Sequence, residues 1–263
     1  MAGWLDILDT LYEGSWNACL QRFRSPFAFR GHSRAGFDLS SALLRLAGGR
    51  PDVARLEQAL LRNFRKYGHR EGSDTASMWN WLALAQHHGL PTRLLDWTYS
   101  PLIALHFATV APEDLDADGE VWCVNFVEAN KRLPERLRRI LIDEASDTFT
   151  VEMLDALGDL RGFEALSDRP FVVFMEPPAI DDRILHQLAL FSLMSSPATR
   201  LDEWLREHPE LCRTVPVPAG LKREIRDKLD QANVNERVLF PGLDGLSRWL
   251  ARYYTPPALA EDR

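Results

Sequence analysis

Cysteine is scarce in this 263-residue chain, with three residues at positions 19, 123 and 212. An odd, widely spaced set forms neither a disulfide framework nor a metal-ligand pattern, and it suits a reducing compartment. Long apolar runs are missing: Leu102 to Leu105 and Phe171 to Met175 fall far short of the ~20 residues needed to cross a bilayer. Bases are missing from the first residues, where Asp6 and Asp9 stand in place of the Lys or Arg of a secretion signal, so a cytoplasmic location is expected. Positive charge is also in deficit, with 31 Lys and Arg against 38 Asp and Glu and a net charge of −7. That balance argues against a broad nucleic-acid surface and leaves room for a local cationic pocket.

Two kinds of chemistry lose support in the same way. Neither an HExxH helix nor a Cys/His cluster appears, and the adjacent His87 and His88 would point about 100° apart on a helix. No metal site is therefore expected. No Gly-x-Ser-x-Gly elbow is present, and Ser33 and Ser100 read as turn and cap residues.

What is there suits a globular chain: 46% hydrophobic residues, 26% charged residues and eight Trp, most of them expected in the core. Helical spacing predicts helices over 4–20, 52–67 and 75–88, with Gly68 and Gly89 as stops. Ser100-Pro101 opens another as N-cap and first-turn proline. Strands are expected at 27–31, 119–126, 169–175 and 190–194, with 212–217 as an edge strand limited by Pro216 and Pro218. Residues 129–166 read as mostly helical and charged. Residues 181–187 and 220–231 read as further helices, and 245–253 closes the fold. No repeat or linker divides the chain. The expected fold class is α+β, a single domain over 1–263 with a motif-bearing core at 26–250 and a small central β-sheet surrounded by helices.

Three constellations could carry chemistry. In Gln86 to Thr98, two His, one Arg, one Asp and two Thr surround a Gly/Pro turn between apolar segments, and polar groups so placed must be paired or used. Arg93 could pair with Asp96, or both could face a ligand. The second comprises Arg22, Arg24, Arg30, His32 and Arg34, with no acid until Asp38. An Arg before Gly31 at a strand end would leave the backbone room for a ligand and aim a planar fork at phosphate. The third holds Arg183, His186 and Gln187 at a helix-to-strand junction, with Arg183 and Gln187 sharing a helix face.

Taken together, these residues resemble the FRG domain family, named for its Phe-Arg-Gly motif. The match comprises Phe29-Arg-Gly31, Leu84 to Thr98, Ser100-Pro101 with Ala104 to Ala108, Arg183-Ile184 with Gln187 and Phe191, and Leu239 to Gly245. A looser similarity to ADP-ribosyltransferases implies an early Arg that helps hold NAD. It also implies a late Gln-x-Glu element whose Glu polarises the nicotinamide ribose. Arg30 matches the early Arg and Gln187 the Gln, but Ala189 stands where the Glu would be. A substitute carboxylate, Asp96 or Glu176, would then be required.

The resemblance implies an ADP-ribosyltransferase-like enzyme with NAD as substrate and a macromolecular target, associated with toxin or phage-defence roles and with an inhibitory partner protein. It implies catalytic roles for Asp96, His88 and Gln187, and nucleotide contacts from Arg30, Gly31, Arg93, Trp97 and Thr98. The alternative it leaves is a non-catalytic nucleotide- or partner-binding module.

Overall fold

The computed structural model describes residues 3–68 and 77–255. Six β-forming runs from distant parts of the chain build one antiparallel sheet. They are β1 (Phe27–His32), β2 (Leu94–Thr98), β3 (Gly119–Asn125), β4 (Val172–Met175), β5 (Ala189–Met194) and β6 (Cys212–Val217), in the spatial order β4-β5-β2-β1-β3-β6. As Pro216 requires, β6 lies at an edge, where its missing N–H breaks no inner ladder. The helices that frame the sheet are α1 (Trp4–Tyr12), α2 (Val53–Gly68), α3 (Met78–His87), α4 (Pro101–Thr109), α5 (Asp182–His186), α6 (Ala219–Gln231) and α7 (Leu243–Tyr254). This is a mixed α+β fold. Among the described residues, no helix is long and apolar enough to cross a membrane.

Local chemistry sets the element ends. The Ser100 side chain accepts from Ile103 N and Pro101 fills the first turn of α4. Ser77 caps α3 by accepting from Asn80 N, and the expected start of that helix at residue 75 lies outside the described residues. The helix expected over 4–20 ends at Tyr12. Gly14 takes a left-handed φ of +71°, and Trp16–Asn17 pairs with Arg22–Phe23 as a small hairpin. Beyond Tyr12 no apolar stripe continues to hold a helix against the core, while Asn17 accepts from Leu20 N at 3.0 Å to form the turn. The charged region after β3 folds into short helices whose Leu137, Leu141, Leu154 and Phe163 are buried.

The alternation of side chains sorts the core. One sheet face carries Ala28, Leu95, Trp97, Val124, Phe174 and Leu190, packed with Trp204 and Leu205. The other face is divided. Leu94, Phe191 and Leu193 join Trp79 and Leu82 of α3, whereas Phe29, Val121 and Cys123 join α1, α4 and α6. The division follows the seam between β1 and β2, which pair at one position only, Phe29 with Thr98. The candidate site lies at this seam.

Candidate functional site

Past Phe29 and Thr98 the two strands splay, and a cleft of ≈ 570 Å3 opens there, within the range of about 300–1,000 Å3 usual for small-molecule sites. Its walls include Arg30 and His32 from β1, Asp96 and Thr98 from β2, Gln86 and His87 from α3, and Arg183 and Gln187 from the α5 region. Ala189 and Phe107 border it as well.

Arg30 occupies the gap between the strands. Its Nη1 donates to the backbone carbonyl of Asp96 at 2.5 Å and its Nε donates to His32 Nε2 at 3.1 Å. The second bond makes Nε2 an acceptor and so places the His32 proton on Nδ1, which has no hydrogen-bond partner and lies 3.7 Å from Glu120 Oε1. Burial lowers the Arg30 guanidinium from its ordinary value; Asp96 partly offsets this and Arg45 adds to it. Burial, followed by the charge of Arg30, pushes His32 down to about 4, so it is neutral at pH 7. Among the described residues, no carboxylate forms an ion pair with Arg30 and its Nη2 has no partner. The fully buried arginines differ: Arg93 and Arg226 each contact a carboxylate.

Asp96 is held as firmly as Arg30. Gln86 Nε2 donates to both of its carboxylate oxygens at 3.0 Å. Thr92 Oγ1 donates to Gln86 Oε1 at 2.5 Å and accepts from Leu94 N at 3.1 Å, which fixes the amide. Thr98 opposes Ala189 across the β2–β5 ladder and Asp96 opposes Phe191. Asp96 and Ala189 are therefore diagonal neighbours on one face, a relation that spans roughly 7–8 Å. Gln187 leads into that strand through Leu188, whose φ is +46°. The Gln187 side-chain amide donates to Leu239 O at 2.9 Å, and the Gln187 backbone carbonyl accepts from Thr98 Oγ1 at 2.7 Å.

Arg30, Asp96, Thr98 and Gln187, up to 157 positions apart in sequence, thus meet at one cleft. Three expectations need correction, and a fourth residue, Gly31, has a further role. Arg93 does not line the cleft and does not pair with Asp96. It is 3% exposed, contacts both Glu57 and Glu164, and donates to Ser195 O at 2.9 Å. Burial alone would lower its pKa, but the two carboxylates raise it.

Trp97 borders the cleft, yet its indole is 4% exposed, donates to Ser192 Oγ at 2.8 Å and meets Phe174 edge-on. That ring is core. His88 caps α3, is exposed and is not part of the cleft wall. Gly31 lines the cleft, but its missing Cβ is required by packing: a Cβ there would lie 1.9 Å from Ala104 O and 2.6 Å from Ala108 N. Its bare Cα lets α4 pack directly on the strand.

Glu176 is also committed, accepting from Tyr99 Oη at 2.8 Å and Thr148 Oγ1 at 3.2 Å. Gln86, His32 and Arg183 were absent from the expected contacts and do line the cleft. The signal for Gln86 was its place at the head of the central motif. Among the described residues, no cluster of three or more His, Cys, Asp or Glu could hold a metal ion.

No curated protein and no solved structure matches the chain. Residues 25–117 match the family model described as FRG domain, a stretch that runs from just before β1 to just before β3 and holds both strands of the splayed seam. That stretch is similar to the FRG domain and supplies the strands and Gln86 at the seam, while Arg183, Gln187 and Ala189 reach the cleft from outside it.

Proposed function

We propose that the cleft binds a phosphate-bearing nucleotide, with NAD as substrate, and transfers its ADP-ribose to an acceptor. The observation that carries this reading is Arg30, a half-buried cation in the gap between two strands that, among the described residues, forms no ion pair with a carboxylate. Such a charge is costly unless an anion compensates it, and a guanidinium fork matches phosphate. Arg183, exposed at the rim and stacked over Phe240 at 5.3 Å, is the second cation.

The strands carrying the ADP-ribosyltransferase-like residues, β1, β2 and β5, are neighbours in the sheet. Ala189 supplies no carboxylate, but Asp96 presents one from the adjacent strand on the same face. NAD supplies an ADP-ribosyl group activated by its nicotinamide leaving group. In the transfer, the bond from ribose C1′ to nicotinamide nitrogen breaks and nicotinamide leaves with the electron pair. A new bond forms between C1′ and the acceptor oxygen or nitrogen, whose proton is lost. Asp96 stabilises positive charge developing at the ribose and takes up that proton. A macromolecular acceptor, a toxin or phage-defence role and an inhibitory partner are what the resemblance to these families implies for such a transfer.

A second reading, binding without turnover, draws on the commitment of the Gln187 amide to Leu239 O and on the absence of a side-chain acid at Ala189. Calorimetry with NAD and mass spectrometry of protein, DNA and RNA acceptors separate the two. Transfer requires binding, an added ADP-ribose mass and loss of that mass in Asp96→Asn with binding retained. In Asp96→Ala, adding Ala189→Glu restores part of the activity. Binding with no product under any condition favours the second reading, and no binding removes both.

A further inference from the structure

Phe37 is a large apolar side chain left 48% exposed at the cleft wall. Single exposed apolar residues are ordinary on protein surfaces, but the backbone around this one is tightly fixed. Ala35 N donates to Asp118 O at 2.7 Å, Gly36 N to Glu120 Oε1 at 3.0 Å and Leu39 N to the buried Asp202 at 3.1 Å. Gly36 adopts φ +83°, a left-handed turn that swings the chain immediately before the phenyl group. The ring forms a T-shaped pair with His32, with centroids 5.9 Å apart, and about half of the residue stays exposed. A pinned loop therefore holds a half-exposed aromatic ring at the wall of the cleft that Arg30 also lines. Phe107 borders the same cleft from α4, the helix packed on Gly31.

We infer that Phe37 is a stacking platform for a planar heteroaromatic ring of the ligand whose phosphate meets Arg30. The ligand class is then a nucleotide with its base or nicotinamide ring, rather than a bare phosphate or sugar phosphate. This assignment rests on the phosphate-binding reading above. An aromatic face tolerates any planar ring, so the device selects for ring against no ring.

The test is calorimetry of the full chain with NAD and with inorganic pyrophosphate, using wild type, Phe37→Ala and Phe37→Trp. Loss of one stacked ring corresponds to roughly ten- to a hundred-fold weaker binding. Phe37→Ala is expected to lose that much affinity for NAD and to leave pyrophosphate binding and the thermal melt unchanged. Phe37→Trp restores NAD affinity. Unchanged NAD affinity in Phe37→Ala, or equal loss for both probes, overturns the stacking role while the phosphate site stands. Wild type that binds neither probe overturns both.

Discussion

Arg30 Nη1 donates to the backbone carbonyl of Asp96 at 2.5 Å across strands that pair at one position only. In a continuous ladder that carbonyl would accept a strand N–H; here the guanidinium takes its place and opens the cleft it lines. Arg30→Lys is expected to weaken phosphate-bearing ligands at least about tenfold, because an ammonium cannot grip the carbonyl and bridge a phosphate in one plane. Calorimetry with NAD checks this; equal affinity in Arg30→Lys would show that the ligand does not use the guanidinium fork.

Gln86→Leu strips both amide donors from Asp96 and leaves the Thr92 hydroxyl without its acceptor. Stability should fall by about 1–2 kcal/mol in a denaturant melt. Under the transfer reading, kcat falls well beyond KM, because the substrate contacts remain while the carboxylate is no longer held.

Gly31→Ala is expected to disrupt folding rather than ligand binding alone. The added Cβ would meet Ala104 O at 1.9 Å, and both strand and helix backbones would have to move. A loss above about 3 kcal/mol is expected, beyond ordinary overpacking. A variant with native stability that failed only to bind would return Gly31 to the ligand.

Arg93→Met leaves Glu57, itself 1% exposed, as an uncompensated buried charge and should cost about 3–5 kcal/mol. Adding Glu57→Leu should recover much of that loss. If both variants fold, ligand affinity is expected to match wild type, since Arg93 lies outside the cleft wall.

Acid should destabilise the fold through its buried histidines. Burial, then Arg30, holds His32 at about 4, and burial, then Arg226, holds His106 at about 3, both from 6.5. Between those values the unfolded chain binds more protons. Stability is therefore full above about 6.5 and declines as pH falls toward 4 and 3, by on the order of a few kcal/mol in total. Glu236 adds to this lower down. Burial opposes its ionisation, but Arg252 and Arg226 prevail and hold it at about 2, so its contribution is lost as pH falls from 4.5 toward 2. Melts at pH 7 and pH 4.5 should show a smaller difference in His106→Asn, which keeps an acceptor for Arg226. An identical difference would clear His106 of the effect.

Much of the scaffold was legible because it is written in local chemistry. Ser100-Pro101 marked the start of α4, Gly68 the end of α2, and the β-rich runs marked β3, β4, β5 and the edge strand β6. The short helix Ala42–Ala47 and the hairpin after Tyr12 were not, since each rests on too few residues to show a period. Within the site, Asp96 could be singled out from its motif. Its partners could not, because Gln86 and Arg30 reach it only through the turn at Pro91 and the meeting of β1 with β2.

Arg30 and Arg93 show the division most plainly. In sequence both are arginines beside apolar residues in recognisable motifs, and both suited a phosphate. The sequence by itself established the motifs, the periodic faces and, over residues 25–117, the likeness to the FRG domain. Only tertiary structure brought Glu57 and Glu164 to Arg93, from 36 and 71 positions away, and set Arg30 at an open seam where, among the described residues, no carboxylate pairs with it. A side chain's periodicity dictates whether it is buried, but whether its charge is answered depends on groups that chain order does not bring near.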